Sequence, residues 1–140
     1  MSEDIKNAIS DLGQTFNEFK KVNDVHGHHV GDWLLIEVST RIQYCLRATD
    51  TVGRLGGDEF VVVLLDIDGN AEDVANKIRT KLKEPFAMDN GVVLNITSSI
   101  GVAIYLQDAK NQTMLMECAD KAMYEAKKRG RNKVVMFDDF

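Results

Sequence analysis

Apolar residues recur at helical spacing in four stretches of the chain and crowd into unbroken or β-branched runs in three others. Ile5, Ile9, Leu12, Phe16 and Phe19 fall on one stripe behind Ser2 and early acids, which predicts a helix over residues 2–14. Leu34, Val38, Ile42 and Leu46 repeat the pattern over residues 31–46. Val74, Ala75, Ile78 and Leu82 mark another helix, closed by Pro85. Leu115, Cys118, Ala119, Ala122, Met123 and Ala126 share one face of a last helix, with Gly130 as its stop. "TVGRL" and "EFVVVLLD" read as two strands joined through Gly56 and Gly57, residues that tolerate a tight turn. The run from Val61 to Leu65 lacks polar alternation, so that strand is expected to be covered on both faces. "VVLNITSSIGVAIY" reads as strand with a bend near Ser98 and Ser99, and "KVVMF" as a short final strand. Helices packed on a mostly antiparallel sheet follow, an α+β fold.

The remaining composition narrows the partners. A chain of 140 residues forms one domain with one sizeable core, and no repeat or low-complexity tract divides it. The net charge of -5 argues against nucleic acid or an anionic membrane as a bulk partner. No apolar run reaches membrane-spanning length, and the N-terminus lacks a signal-peptide core. No direct membrane insertion and a cytoplasmic location are the expectations. Cys45 and Cys118 stand far apart without CxxC spacing, which reads as two reduced core residues.

Chemistry concentrates at "RLGGDEF", Arg54 to Phe60, where two glycines and two acids meet the lip of the apolar strand. Without Cβ atoms the turn lets a triphosphate approach the backbone, and its amides can face phosphate oxygens. Magnesium takes one or two carboxylates plus phosphate oxygens. A polar hairpin tip accounts for the same residues equally well in isolation. Three further blocks, "FKKVNDVHGHHVGD" (Phe19 to Asp32), "SIGVA" (Ser99 to Ala103) and "ADKAMYEAKKRGRN" (Ala119 to Asn132), stand in order around it. Together they resemble the GGDEF family, the diguanylate cyclases that condense two GTP into cyclic di-GMP and pyrophosphate.

The resemblance implies a nucleotidyl-cyclase-like fold with a ferredoxin-like core. It implies Mg²⁺ (or Mn²⁺) on Asp58, with Glu59 beside it as a second catalytic acid. Gly56 and Gly57 would line the phosphates, and Lys20, Lys127 and Arg131 would bind them. Basic residues at a helix C-terminus also complement its dipole, which accounts for Lys127 and Arg131 without a ligand. Asn23 and Asp32 match the pair that reads guanine, whose N1–H and amino group a carboxylate can accept together. Adenine lacks that donor pair. The family's "GHxxGD" turn accounts for His28, so turn and helix-entry roles outweigh a metal role for His26, His28 and His29. "RATD", Arg47 to Asp50, matches the site where product binds and inhibits, with Arg79 as a secondary contact. Catalysis in this family needs a homodimer, because each domain carries one GTP, and such domains commonly follow a sensory domain in longer chains.

The resemblance falters upstream of Phe19. There the family has a strand ending in Asp-x-Asp, whose first acid is the other metal ligand. Counting back from Phe19 gives Thr15 and Asn17 at those positions, with Asp11 and Glu18 within reach only by an irregular path. The expectation is therefore a divergent helical segment over residues 1–18, replacing the family's first strand, before a GGDEF domain over 19–140. Two functions follow. One is a cyclase; the other is a catalytically impaired domain that binds GTP or cyclic di-GMP as a regulatory module.

Overall fold

The computed structural model describes residues 7–11, 22–65 and 70–140. Its first element corrects the N-terminal expectation. Residues Asn7–Asp11 form a strand, β1, rather than part of a helix over 2–14, whose other residues lie outside the described ones. β1 pairs antiparallel with two neighbours, so the family's first strand is present and central. Pairing with two neighbouring strands outweighs the helical spacing of its few apolar residues, as tertiary context commonly does.

The chain then runs through helix α1 (His28–Tyr44), strands β2 (Thr51–Gly56) and β3 (Glu59–Leu64), and helix α2 (Ala71–Lys83). A small hairpin of β4 (Phe86–Ala87) and β5 (Val93–Leu94) follows, then β6 (Ser99–Ile104), α3 (Gln112–Lys128) and β7 (Lys133–Met136). The main sheet has the order β2-β3-β1-β6-β7, antiparallel except for β6 with β7. The path β1-α1-β2-β3-α2-β6 is the ferredoxin-like arrangement, extended by α3 and β7. The expected bend at Ser98 and Ser99 is a full break: β5 belongs to the separate two-stranded sheet, and β6 starts at Ser99.

Both faces of the sheet are covered, as the unalternating β3 run requires. Phe60, Val62, Leu64, Ile100 and Val102 pack with Leu34, Ile42 and Ile78 from α1 and α2. Ala103 packs instead with Leu115 and Ala119 of α3. Arg41 ties α1 to the end of α2, donating to the Lys81, Glu84 and Pro85 carbonyls with its guanidinium 3.4 Å over the Phe86 ring. The guanidinium thereby supplies donors to carbonyls at and just beyond the helix end, where backbone partners are scarce. Both cysteines are free thiols raised by burial, Cys45 half-buried and Cys118 buried. Among the described residues, no helix is long and apolar enough to cross a membrane.

Gly101 sets the distance between β6 and α3. A Cβ there would stand 2.1 Å from the Ala119 carbonyl oxygen and 2.2 Å from the Met123 amide nitrogen, both backbone atoms that cannot swing aside. Gly101→Ala should therefore lower stability by about 3 kcal/mol or more in urea unfolding. Retention of wild-type stability would mean that α3 is not seated as described.

Candidate active site

Sheet register brings the chemistry to one end of the molecule. Asp11, the last residue of β1, stands opposite Phe60 of β3 and Ile100 of β6. The hairpin turn precedes Phe60 by two residues, at Gly57 and Asp58. Ser99 pairs with Lys133, the first residue of β7, so the corner between α3 and β7 reaches the same end. From β3 to β7 is three strand spacings, about 14 Å, within the span of a nucleoside triphosphate.

The hairpin is built for close approach. The register shifts between Arg54 and Gly56, leaving Leu55 as an extra, exposed residue. Gly56 has φ 153° and Gly57 φ 51°, and a Cβ added at either would meet nothing within 4 Å. Both conditions, positive φ and open space, suit glycine facing a ligand. Arg54 Nε donates to the Gly57 carbonyl at 2.7 Å and braces the turn from within. Asp58 is only 2% exposed. Turn propensity alone puts an aspartate in water; an acid held out of water needs compensating charge or donors, and Asp58 is not without a partner within the chain. Glu59 beside it is half-buried. A buried acid on a glycine turn, with a strand-ending acid in register two residues away, fits a Mg²⁺ that completes its shell with phosphate oxygens. Among the described residues no cluster of three or more His, Cys, Asp or Glu could hold an ion by itself.

Between the hairpin and α1 lies a cavity of about 450 Å³, lined by Asp32, Leu35, Ile36, Ser39, Arg54 and Phe60 among others. Asp32 sits in the first turns of α1, and Leu35, Ile36 and Ser39 follow it on one helical face. Ahead of α1, residues 22–26 form a helical turn broken by Gly27 at φ 90°. Asn23 belongs to that turn, and its Oδ1 is buried without a hydrogen-bond partner among the described residues. An orphaned buried acceptor is costly and points to a missing donor. His26 ends the turn while His28 and His29 open α1, all three exposed. Lys127 and Arg131 lie half-buried at and beyond the end of α3. Lys20, Thr15 and Asn17 lie outside the described residues.

Arg47 and Asp50 form a separate, tightly bonded loop. Asp50 accepts from the Arg47 amide at 2.9 Å, from its guanidinium at 3.2 and 3.3 Å, and from the Leu65 amide at 3.3 Å. Arg47 also donates to the Leu65 carbonyl. Burial raises the Asp50 carboxyl, but the bonds from the Arg47 side chain and amide and from Leu65, with the Arg47 charge, outweigh it and hold the group below the ordinary carboxylate range. The Asp50 side chain is 2% exposed and that of Arg47 53%, so the acid anchors an arginine that still meets solvent beside a cavity of about 300 Å³. Arg79 is not drawn into this loop; its bonds run to Asn76 and Asn132.

Comparison with known proteins now decides the family. The model for "Diguanylate cyclase, GGDEF domain" matches residues 5–133. The chain belongs to the GGDEF-domain family. The match begins well upstream of Phe19, in keeping with a β1 that is part of the family fold. Among its relatives are the bifunctional diguanylate cyclase/cyclic di-GMP phosphodiesterase MucR of Pseudomonas aeruginosa, 41% identical over 99% of this chain and 21% of MucR. Diguanylate cyclase A of Treponema denticola is 41% identical over 94% of this chain and 36% of its own length. This chain thus spans about a fifth to a third of these GGDEF relatives. The crystal structure of the GGDEF domain of TpbB from P. aeruginosa superposes with a TM-score of 0.85 at 33% identity, covering 96% of this chain and 83% of that one. The GGDEF domain of DgcB from Caulobacter crescentus, solved in complex with cyclic di-GMP, gives 0.79 at 26% identity, covering 95% and 77%.

Arg54 carries no signal in the sequence beyond its place before the glycines, and Asn132 gains its contact only through Arg79. Asp11 is visible as an acid in the sequence, but its place at the end of a strand beside the hairpin is not. The Asp50 anchor has a direct consequence. Its depressed folded value means its stabilisation is complete above the unfolded carboxylate value of about 3.9 and is lost as pH falls through the folded value. Asp50→Ala should lose about 2 kcal/mol at pH 7 in urea unfolding and progressively less below about pH 4. An equal deficit at pH 7 and pH 2 would contradict the anchor.

Proposed function

We propose that this chain is the catalytic domain of a diguanylate cyclase, joining two GTP into cyclic di-GMP with release of pyrophosphate. The observation that carries the reading is the buried Asp58 on its two-glycine turn, with Asp11 ending the neighbouring strand in register. The metal pair is then Asp11 and Asp58, and Asp11 takes the role that counting back from Phe19 assigns to Thr15. A regular strand leads to Asp11, so no irregular path is needed. An impaired regulatory domain, the alternative function, is motivated by Thr15 and Asn17 at the expected acid positions; the register of Asp11 beside the hairpin favours the cyclase reading over it.

Each residue then has a task. Asp32 and Asn23 accept from the donors of guanine, with Leu35 against the purine. The amides of Gly56 and Gly57 receive the phosphates, while Lys20, Lys127 and Arg131 neutralise their charge. Glu59 borders the same turn and assists deprotonation of the attacking hydroxyl. Mg²⁺, or Mn²⁺, supplies Lewis-acid stabilisation of charge on the phosphoryl oxygens when bound. The 3′-hydroxyl of one GTP attacks the α-phosphorus of the other; the bond to pyrophosphate breaks and the hydroxyl proton leaves. Two such steps close the ring. One domain holds one GTP, so a homodimer must face its two hairpins together in the cytoplasm, where GTP is plentiful. Product binding at Arg47 and Asp50 restrains the enzyme: a half-exposed guanidinium suits phosphate and the Hoogsteen edge of guanine. An upstream sensory domain in a longer chain would control the encounter.

Purified protein with Mg²⁺ or Mn²⁺ and GTP should yield cyclic di-GMP by chromatography. Asp58→Asn and Asp11→Asn should each lower turnover by at least about a hundredfold. Thr15→Asp should bring no gain. A substantial gain from Thr15→Asp, or an active Asp11→Asn enzyme, would contradict this assignment; no product from wild type at high enzyme concentration would refute the cyclase reading.

A further inference from the structure

Three consecutive residues after α3 have positive φ: Gly130 at 111°, Arg131 at 64° and Asn132 at 49°. Glycine accepts this freely, but two adjacent side-chain-bearing residues in left-handed backbone need neighbours to hold them. The Arg131 amide donates to the Ala126 carbonyl at 2.9 Å and that of Gly130 to Lys127 at 3.3 Å, which fastens the backbone to the helix end. Asn132 is held differently. Its Oδ1 accepts from Arg79 Nη1 at 3.2 Å, across 53 residues of sequence. Arg79 is itself steadied by Nε donating to Asn76 Oδ1 at 3.3 Å, one turn earlier on α2. β7 is the edge strand, with α2 packed against it and α3 on the opposite face of the sheet from the α1–α2 core. Arg79 therefore reaches round the sheet edge, from the helix on one face to the corner ending the helix on the other.

We propose that Arg79 is a positioning residue for nucleotide binding, acting through Asn132 to hold the corner that presents Arg131 to the phosphate end of the sheet. The inference depends on the reading of Arg131 as a phosphate ligand. Arg131 is flanked by the two anchors, the backbone bond to Ala126 and the side-chain bond at Asn132. With Arg79 gone, the Asn132 carboxamide loses its hydrogen bond and the corner explores more conformations. Ordering it again then weakens binding. This role differs from the place at the product site that the family resemblance implies for Arg79, and the two have opposite signatures.

Calorimetry with a non-hydrolysable GTP analogue and Mg²⁺, and separately with cyclic di-GMP, separates them in wild type, Arg79→Ala, Asn132→Gly and the double variant. Asn132→Gly keeps a backbone suited to positive φ and removes only the carboxamide; it also keeps the test open should Arg79→Ala not fold. Each single variant should bind the analogue about tenfold more weakly, and the double variant no worse than either. Arg79→Lys should recover part of the loss, and affinity for cyclic di-GMP should stay as in wild type. Unchanged analogue affinity in the single variants, multiplying losses in the double, or weakened cyclic di-GMP binding in Arg79→Ala would overturn the proposal. Failure of wild type to bind the analogue would instead refute the GTP-site reading and the inference with it, an outcome visible before any variant is made.

Discussion

The pairing of β1 between β3 and β6 is the constraint on which the molecule depends. Five residues, Asn7–Asp11, hydrogen-bond on both sides and so fix the register of the two strands that carry the functional loops. A shift by one residue would turn every side chain of β1 to the opposite face and move Asp11 off the hairpin. The same pairing determines which end of the sheet receives the glycine turn, the strand-ending acid and the basic corner after α3. Site and fold are thus set by a single alignment.

Around that alignment, close packing holds the functional loops in place. Gly101 lets α3 lie on β6 at backbone contact, and Arg41 locks α1 to the end of α2 over Phe86. The wall of the cavity beside α1, Asp32 to Ser39, therefore stands on a helix pinned at its far end, while the opposite wall is the hairpin. Loops placed on a fixed scaffold in this way can bind a ligand without ordering the whole domain on each binding event. The Arg47–Asp50 loop, closed on its own hydrogen bonds and on Leu65, is likewise preformed.

Much of this was legible in the residues. The three later helices, the β2–β3 hairpin, the doubly covered β3 run and the short last strand all follow from spacing, β-branching and turn chemistry, and the motif blocks gave the family. β1 was not legible. "NAISD" offers only two apolar residues, too few to show a period of two, and Ile5, Ile9, Leu12 and Phe16 around it mimic a helical stripe. Its strand character comes from partners 49 or more residues away, which no local pattern contains. Counting back from Phe19 to the second acid assumes an unbroken spacing between strand and motif, and Thr15 and Asn17 lie outside the described residues. Contacts such as Arg79 with Asn132 are invisible for a related reason: they join a residue within one helix to a residue past the end of another, across a sheet edge.

The most direct test of this account is anomalous diffraction from crystals grown with Mn²⁺ and a non-hydrolysable GTP analogue. The account predicts a peak at about 2.1 to 2.2 Å from carboxylate oxygens of both Asp11 and Asp58, with phosphate oxygens completing the shell. An ion bound by Asp58 without Asp11, or an analogue seated away from Gly56 and Gly57, would contradict it.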